Sequence, residues 1–515
     1  MKKMKKNSKV NVLFFICMFI STTSLFAAKK KVSISADAER FGLIKIVSTE
    51  NKGSNDFVTK PVAKHVRESQ LSWGDKKNIN APEPYYEKCI ISYGDREIGE
   101  AQVKVRGNWT TDYAKKSLRI KFDKKQNIGD LHSSEKYKNW VLLAVYKDPS
   151  FLRDAVALEM YNKMFKSYAS DCQLVELEVN GEYFGVYLLA EQQEAKRLGL
   201  TEPEKDAKNT DIGYLIELDG YSYTEPENEQ FNINYLGNVK DYNGRIVSNL
   251  QSGYTIKSDI NDKVQHDFIA DYMNKVWKIC YEAVYNKKYY KFDSNYNLQE
   301  YTPEGSDNNA KCCECVSQVI NIESLADFYI FNEIICDPDL YYSSFFMCTD
   351  FAEGKDHRLT FCAPWDFDST MGNKRFSIAG SDCVNGGINA MFAGVCQPDV
   401  NGSGNDNANP WMVIFIKEPW FQKIVKEEWA EIPSQKILTQ LQKYIDEYSS
   451  KKYQAVYDAT RKVWGNPTSN EGISNELCAA SKTAAAKGQS ASAEYFKDWL
   501  TKRFTAVDNI IRDLK

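Results

Sequence analysis

The run Arg358–Leu359–Thr360–Phe361–Cys362–Ala363–Pro364–Trp365–Asp366–Phe367–Asp368 reads as an apolar strand that delivers two carboxylates onto one loop. Upstream, Asp339 follows a helical stretch in Cys336–Asp337–Pro338–Asp339, and a short apolar strand, Phe345–Cys348, separates it from the pair. The order acid, strand, turn, strand, acid pair can gather carboxylates around a divalent cation and a reacting hydroxyl. Oxygen ligands suit Mg2+, which takes one or two carboxylates together with phosphate oxygens. A further acid can orient a hydroxyl and accept its proton. Phosphoryl transfer uses this set of groups. Each piece also has a plainer reading, because Asp-Pro-Asp is common turn chemistry and an acidic turn often follows a strand.

A second group is cationic. Arg106–Gly107–Asn108–Trp109 makes a glycine turn, and Lys115, Lys116, Arg119 and Lys121 follow it, with Leu118, Ile120 and Phe122 alternating on one face. Backbone amides and lysines together can hold phosphates, although one glycine is a weak phosphate loop and basic strands are usually solvated. Glu191 ends the strand Val186–Ala190, where the backbone could meet a ligand ring or simply carry a surface acid. Glu159 falls on the apolar stripe of a helix, either to pair with an inward cation or to lie at the stripe's edge.

The elements that must position these groups are legible in outline. Strands are expected at Phe41–Val47, Cys89–Tyr93, Ala101–Arg106 and Ser117–Phe122, and Trp140–Val145 is a short apolar run. Asp148 and Pro149 predict a helix start. Asn180–Gly181 between two apolar runs predicts a tight hairpin. Another strand, Gly213–Leu218, brings Glu217 and Asp219. Helices are expected over Lys263–Tyr285, Ile322–Ile335 and most of Trp411–Lys515. Polar insertions are expected at 220–250 and 287–315, and a mobile loop at 375–410.

The bulk numbers bound the class. The 515 residues are 43% hydrophobic and 26% charged, which indicates a globular chain of two or three domains or one large bilobal unit. A net charge of −4 without a concentrated basic face disfavours nucleic-acid binding. Lysines at 2, 3, 5, 6 and 9, an apolar stretch Val10–Ile20 and small residues to Ala28 read as a secretory signal, so the protein is expected outside the cytoplasm (secreted, periplasmic or in the cell envelope), with no spanning segment after cleavage. Of 13 cysteines, Cys17 lies in that signal. The remainder can form disulfides in an exported chain, and Cys312, Cys313 and Cys315 cluster in a polar loop that lacks the spaced pairs of a zinc site.

Taken in order, these motifs resemble the CotH kinases, a family named for a bacterial spore-coat protein (spore coat protein H). The matching pieces are Val105–Asn108, Lys115–Phe122, Asn139–Ala144, Leu152–Asp154, Val175–Leu177, Asn180–Glu191, Gly213–Asp219, Tyr254–Lys257, Asn332–Glu333 with Asp339, and Pro364–Asp368. They run in family order from about residue 87 to 375, with weaker helical similarity to about 430. The resemblance implies an α+β, bilobal, atypical protein-kinase-like fold with a β-rich N-lobe and a mainly helical C-lobe with insertions. The expected division is signal peptide 1–28, extension 29–86, N-lobe 87–195, C-lobe 196–430 and helical region 431–515. It also implies ATP and Mg2+ or Mn2+ as cofactors and a protein Ser/Thr hydroxyl as acceptor. By it, Asp339 positions that hydroxyl, and Asp366, with Asp368 nearby, binds metal. Arg106 and Lys116 or Lys121 hold phosphates, Glu159 pairs with that lysine, and Glu191 marks the hinge near adenine. Two departures stand out. Ser343 and Ser344 occupy the place of the usual second metal-binding Asn, which leaves Ser344 as the available ligand, and Asp368 replaces Gly after Asp-Phe.

The resulting expectation is a secreted kinase of this type acting on an extracytoplasmic protein. A surface or envelope interaction protein that has lost turnover is the alternative. A sugar-active enzyme is the third reading, since glycosidases use two carboxylates, but the basic strand speaks against it.

Overall fold

The computed structural model describes residues 34, 38–50, 54–60, 86–107, 109–375, 387–398 and 406–515. The expected signal segment and half of the Gly/Asn-rich loop at 375–410 lie outside them. Seven strands close a barrel: β1 (Gly42–Ser48), β2 (Glu87–Tyr93), β3 (Arg96–Arg106), β4 (Ser117–Gln126), β5 (Tyr137–Leu143), β6 (Cys172–Val179) and β7 (Glu182–Glu191). The order is β1-β2-β3-β4-β5-β7-β6, and β6 closes the ring by pairing parallel to β1. Period-2 alternation drives this. Val103, Val105, Leu118, Ile120, Trp140, Leu142, Leu177 and Leu189 turn inward and form the barrel's own core. Closure leaves no free edge, which is more than alternation alone foretells. The β6–β7 hairpin turns at Asn180 and Gly181, both with positive φ (49° and 78°), as the Asn-Gly pair predicts.

A second sheet has the order β14-β13-β8-β10-β9, with β8 Gly213–Leu218, β9 Gln230–Asn232, β10 Gly253–Ile256, β13 Phe345–Asp350 and β14 Thr360–Phe361. The two short strands between them, β11 (Tyr290–Phe292) and β12 (Leu298–Glu300), pair with each other. Helices Lys263–Tyr281, Ile322–Ile335 and Gln489–Arg512 contribute to one large core with this sheet. The mixed α/β composition agrees with expectation.

Two local readings change. The helix expected from Asp148 starts at Arg153, because Phe151 takes a positive φ of 66° that interrupts the first turn. Asp148 still satisfies the helix end from a distance, its Oδ2 accepting from the Leu152 and Arg153 amides at 2.9 and 2.8 Å. The Cys312–Cys315 cluster sits on a helix, Asn308–Ser317, rather than in a loop, and the described cysteines are free thiols. Helical spacing buries Cys312 and Cys315 and leaves Cys313 at the margin.

Candidate active site

A cavity of about 1490 Å³ is lined both by barrel residues and by residues of the second sheet and its loops. Asp339 enters from the turn after helix Ile322–Ile335, where Cys336 ends the helix in a left-handed conformation. The Asp337 carboxylate accepts the Asp339 amide at 2.9 Å and so shapes the turn. Asp366 and Asp368 enter from the loop after β14, and all three aspartates line the cavity. The backbone here is costly: Ser344, Ala363 and Asp366 all have positive φ (60°, 53° and 71°). Such conformations cost of order 1–3 kcal/mol each and cluster where the surrounding structure holds a side chain for use. Asp154, in the first turn of helix Arg153–Met164, accepts the Phe367 amide at 2.8 Å and pins the acid loop to that helix.

The cations that face these acids are Lys147, Lys374 and Arg106. Lys147 Nζ lies 3.1 Å from Asp368 Oδ1 and 3.4 Å from Glu476 Oε2. Lys374 Nζ lies 3.4 Å from Asp339 Oδ1. Arg106, at the end of β3, stacks its guanidinium over Trp365 at 5.5 Å. Crowded buried charges shift their protonation. Burial, with Asp368 and then Asp339 close by, pushes Asp366 up to about 7 against the opposing pull of Lys147 and Arg106. Burial also pushes Asp339 upward, yet Lys374 and Lys147 outweigh it and hold that carboxyl below its ordinary range. For Lys147 burial works against the charge, and Asp368, Tyr113 and Glu476 more than restore it, so the ammonium persists well above its usual range. Asp154 is driven well above the carboxylate range by burial and by Asp368 and Asp366. The site therefore sets Asp339, held below the ordinary carboxylate range, beside Asp366, held above it.

The structure brings Asp339, Asp366, Asp368, Ser344, Arg106 and Lys121 to one cavity. Three other expected site residues lie elsewhere. Lys116 is turned inward, its Nζ donating to the Thr111 and Tyr113 carbonyls at 2.7 and 2.6 Å, because it braces the turn between β3 and β4. Glu159 pairs with Lys163 at 2.9 Å, one helical turn on, and is itself half-buried at the edge of its stripe. The Glu191 side chain is buried. It accepts from Arg197 Nη1 at 2.7 Å, Tyr168 OH at 3.0 Å and the Asp171 amide at 3.0 Å, while the following Gln192–Glu194 line the cavity.

Sequence reasoning missed Lys147, Lys374, Asp154 and Glu476. Lys147 had a signal, a cation in the turn directly after the apolar run Trp140–Val145. Asp154 stood in a matching motif without a role. Lys374 and Glu476 lie in segments whose composition is plain surface, and only tertiary structure brings them in.

The donor set fits a hard divalent cation. Among the described residues no group of three or more His, Cys, Asp or Glu side chains is placed to hold a metal ion; Mg2+ commonly takes one or two carboxylates together with phosphate oxygens. Asp366 and Asp368 would supply those carboxylates, and Ser344 is the hydroxyl on the same wall. Among the described residues no helix is long and apolar enough to cross a membrane.

A family model described as CotH kinase protein matches residues 103–507. No curated protein matches the chain.

Proposed function

The chain belongs to the CotH kinase family, and we propose that it transfers the γ-phosphoryl group of ATP to a Ser or Thr hydroxyl of a protein outside the cytoplasm. The observation that carries this reading is the shared cavity: three aspartates from two neighbouring loops face Lys147, Lys374 and Arg106. Asp339, ionised and held at 3.4 Å from Lys374, orients the acceptor hydroxyl and takes its proton as the oxygen attacks. Asp366 and Asp368 hold Mg2+ or Mn2+, which when bound neutralises charge on the phosphate oxygens. Lys147 and Arg106 stabilise the negative charge that spreads over the transferring group. Lys121, on the barrel wall, steers the triphosphate by charge. The kinase-like bilobal division of the chain, with its cleft at this cavity, belongs to the same reading.

The test is incubation of the full chain with γ-labelled ATP and Mg2+, on the chain itself and on acceptor proteins. Label from the wild type, lost in Asp339→Ala and Asp366→Ala, supports transfer. Metal-dependent ATP binding without label in any arm replaces this reading with the interaction protein, for which Ser343 and Ser344 in place of a second metal-binding Asn would be the reason.

A further inference from the structure

Lys147 has two acidic partners with different prospects. Asp368, 3.1 Å away, is a carboxylate that the divalent cation of the proposed reaction would take. Glu476, 3.4 Å away, comes from the far C-terminal part of the chain. Its position is fixed on several sides. The Tyr113 hydroxyl donates to Glu476 Oε1 at 2.8 Å, and the Arg375 amide donates to the Glu476 carbonyl at 2.7 Å. The next residue, Leu477, bridges to Lys374. Beyond it, the Cys478 amide donates to the Asn373 carbonyl at 2.9 Å and Ser481 Oγ donates to Asn373 Oδ1 at 2.6 Å. Asn373 Nδ2 in turn donates to the Asp368 carbonyl at 2.6 Å. The C-terminal segment is thus tied to the acid loop itself, and Glu476 travels with Asp368.

A carboxylate oxygen cannot serve an ammonium and a divalent cation at once without bringing two like charges together, and in a buried site that repulsion is poorly screened. The Lys147 side chain is 7% exposed, so it has no easy retreat to bulk water. Resting on the kinase reading above, we propose that Glu476 is a positioning residue: it receives the Lys147 ammonium when a divalent cation takes Asp368, and so keeps that charge in the cavity beside Asp339. Both acids are already within ion-pair distance, so the exchange needs only a small rotation of the lysine side chain. No bond forms or breaks, and the charge of the site is conserved apart from the incoming metal.

Lys147 is then a competitor of the metal, and Glu476 relieves the competition. The two residues, although paired, must therefore act in opposite directions on metal affinity. A purely structural role would lower stability and weaken binding in both variants alike. The test is a Mn2+ titration of the full chain, read from the free-ion paramagnetic resonance signal, without and with ATP, alongside thermal melts. Lys147→Met is expected to bind Mn2+ about tenfold more tightly without ATP, and Glu476→Gln about tenfold more weakly. Glu476→Asp should recover most of the loss. A shift of both variants in the same direction, or Glu476→Gln within about twofold of wild type, overturns the inference while leaving the kinase reading intact. Absence of Mn2+ binding with or without ATP, or binding that Asp366→Ala leaves unchanged, overturns the reading and the inference together.

Discussion

Asp339 and Asp366 sit in one cavity but in opposite electrostatic states, and their substitutions should separate accordingly. In the proposed reaction Asp339, held below the ordinary carboxylate range by Lys374 and Lys147, acts on the hydroxyl. Asp339→Asn should lower the transfer rate by about 10²–10⁴-fold while changing metal-dependent ATP affinity little, as a comparison of single-turnover rates with binding constants will show. Asp366, pushed up by burial and by its acidic neighbours, would hold the cation in that reaction. Asp366→Ala should abolish the metal-dependent binding of ATP. At this scale the aspartates were legible because two acids on a loop after a strand are a distinctive pattern. The lysines were not, because Lys115, Lys116 and Lys121 look alike in sequence. Only the fold buries Lys115 over the Tyr187 ring, turns Lys116 onto carbonyls and leaves Lys121 at the cavity.

Among the elements, the helix that leads into Asp339 is anchored by a buried ion pair. Glu333, in helix Ile322–Ile335, meets Arg503 Nη2 at 2.6 Å from helix Gln489–Arg512, and neither side chain is exposed. Glu333 also accepts the Phe392 and Ala393 amides at 2.7 and 2.9 Å. Arg503→Met leaves that carboxylate uncompensated and should cost about 3–5 kcal/mol in denaturant melts. The double variant Glu333→Leu with Arg503→Met should recover part of the loss, limited by the two amides left without an acceptor. Helix Ile322–Ile335 was readable to the residue from its apolar pattern, and the structure adds an Asn321 cap, whose side chain accepts the Ser324 amide. The helix after Asp148 was misplaced, since nothing in Pro149–Ser150–Phe151 announces the left-handed Phe151. The hairpin at Asn180–Gly181 was legible because that dipeptide suits the required backbone.

For the molecule as a whole, the closed barrel and the long-range ties at its rim set the stability and its pH dependence. His132 meets the buried Glu191 at 2.5 Å. The hydrogen bond with Glu191 raises the imidazole pKa despite partial burial. Its contribution is therefore full below the unfolded value of about 6.5 and fades as pH rises through the folded one. His132 is 38% exposed, so the effect is screened to about 1 kcal/mol or less. Urea melts should show His132→Gln destabilised at pH 6 and closer to wild type at pH 8. Barrel closure, the inward turn of Glu191 and the arrival of Glu476 from the C-terminal helices all depend on contacts between residues far apart in sequence, which local pattern does not encode. Titration of the full chain with ATP in the presence and absence of Mg2+ decides whether the three aspartates form a metal–nucleotide site. Binding that requires the metal, survives Asp339→Asn and is lost in Asp366→Ala is the expected result. No binding, or binding indifferent to both the metal and Asp366, would contradict the account.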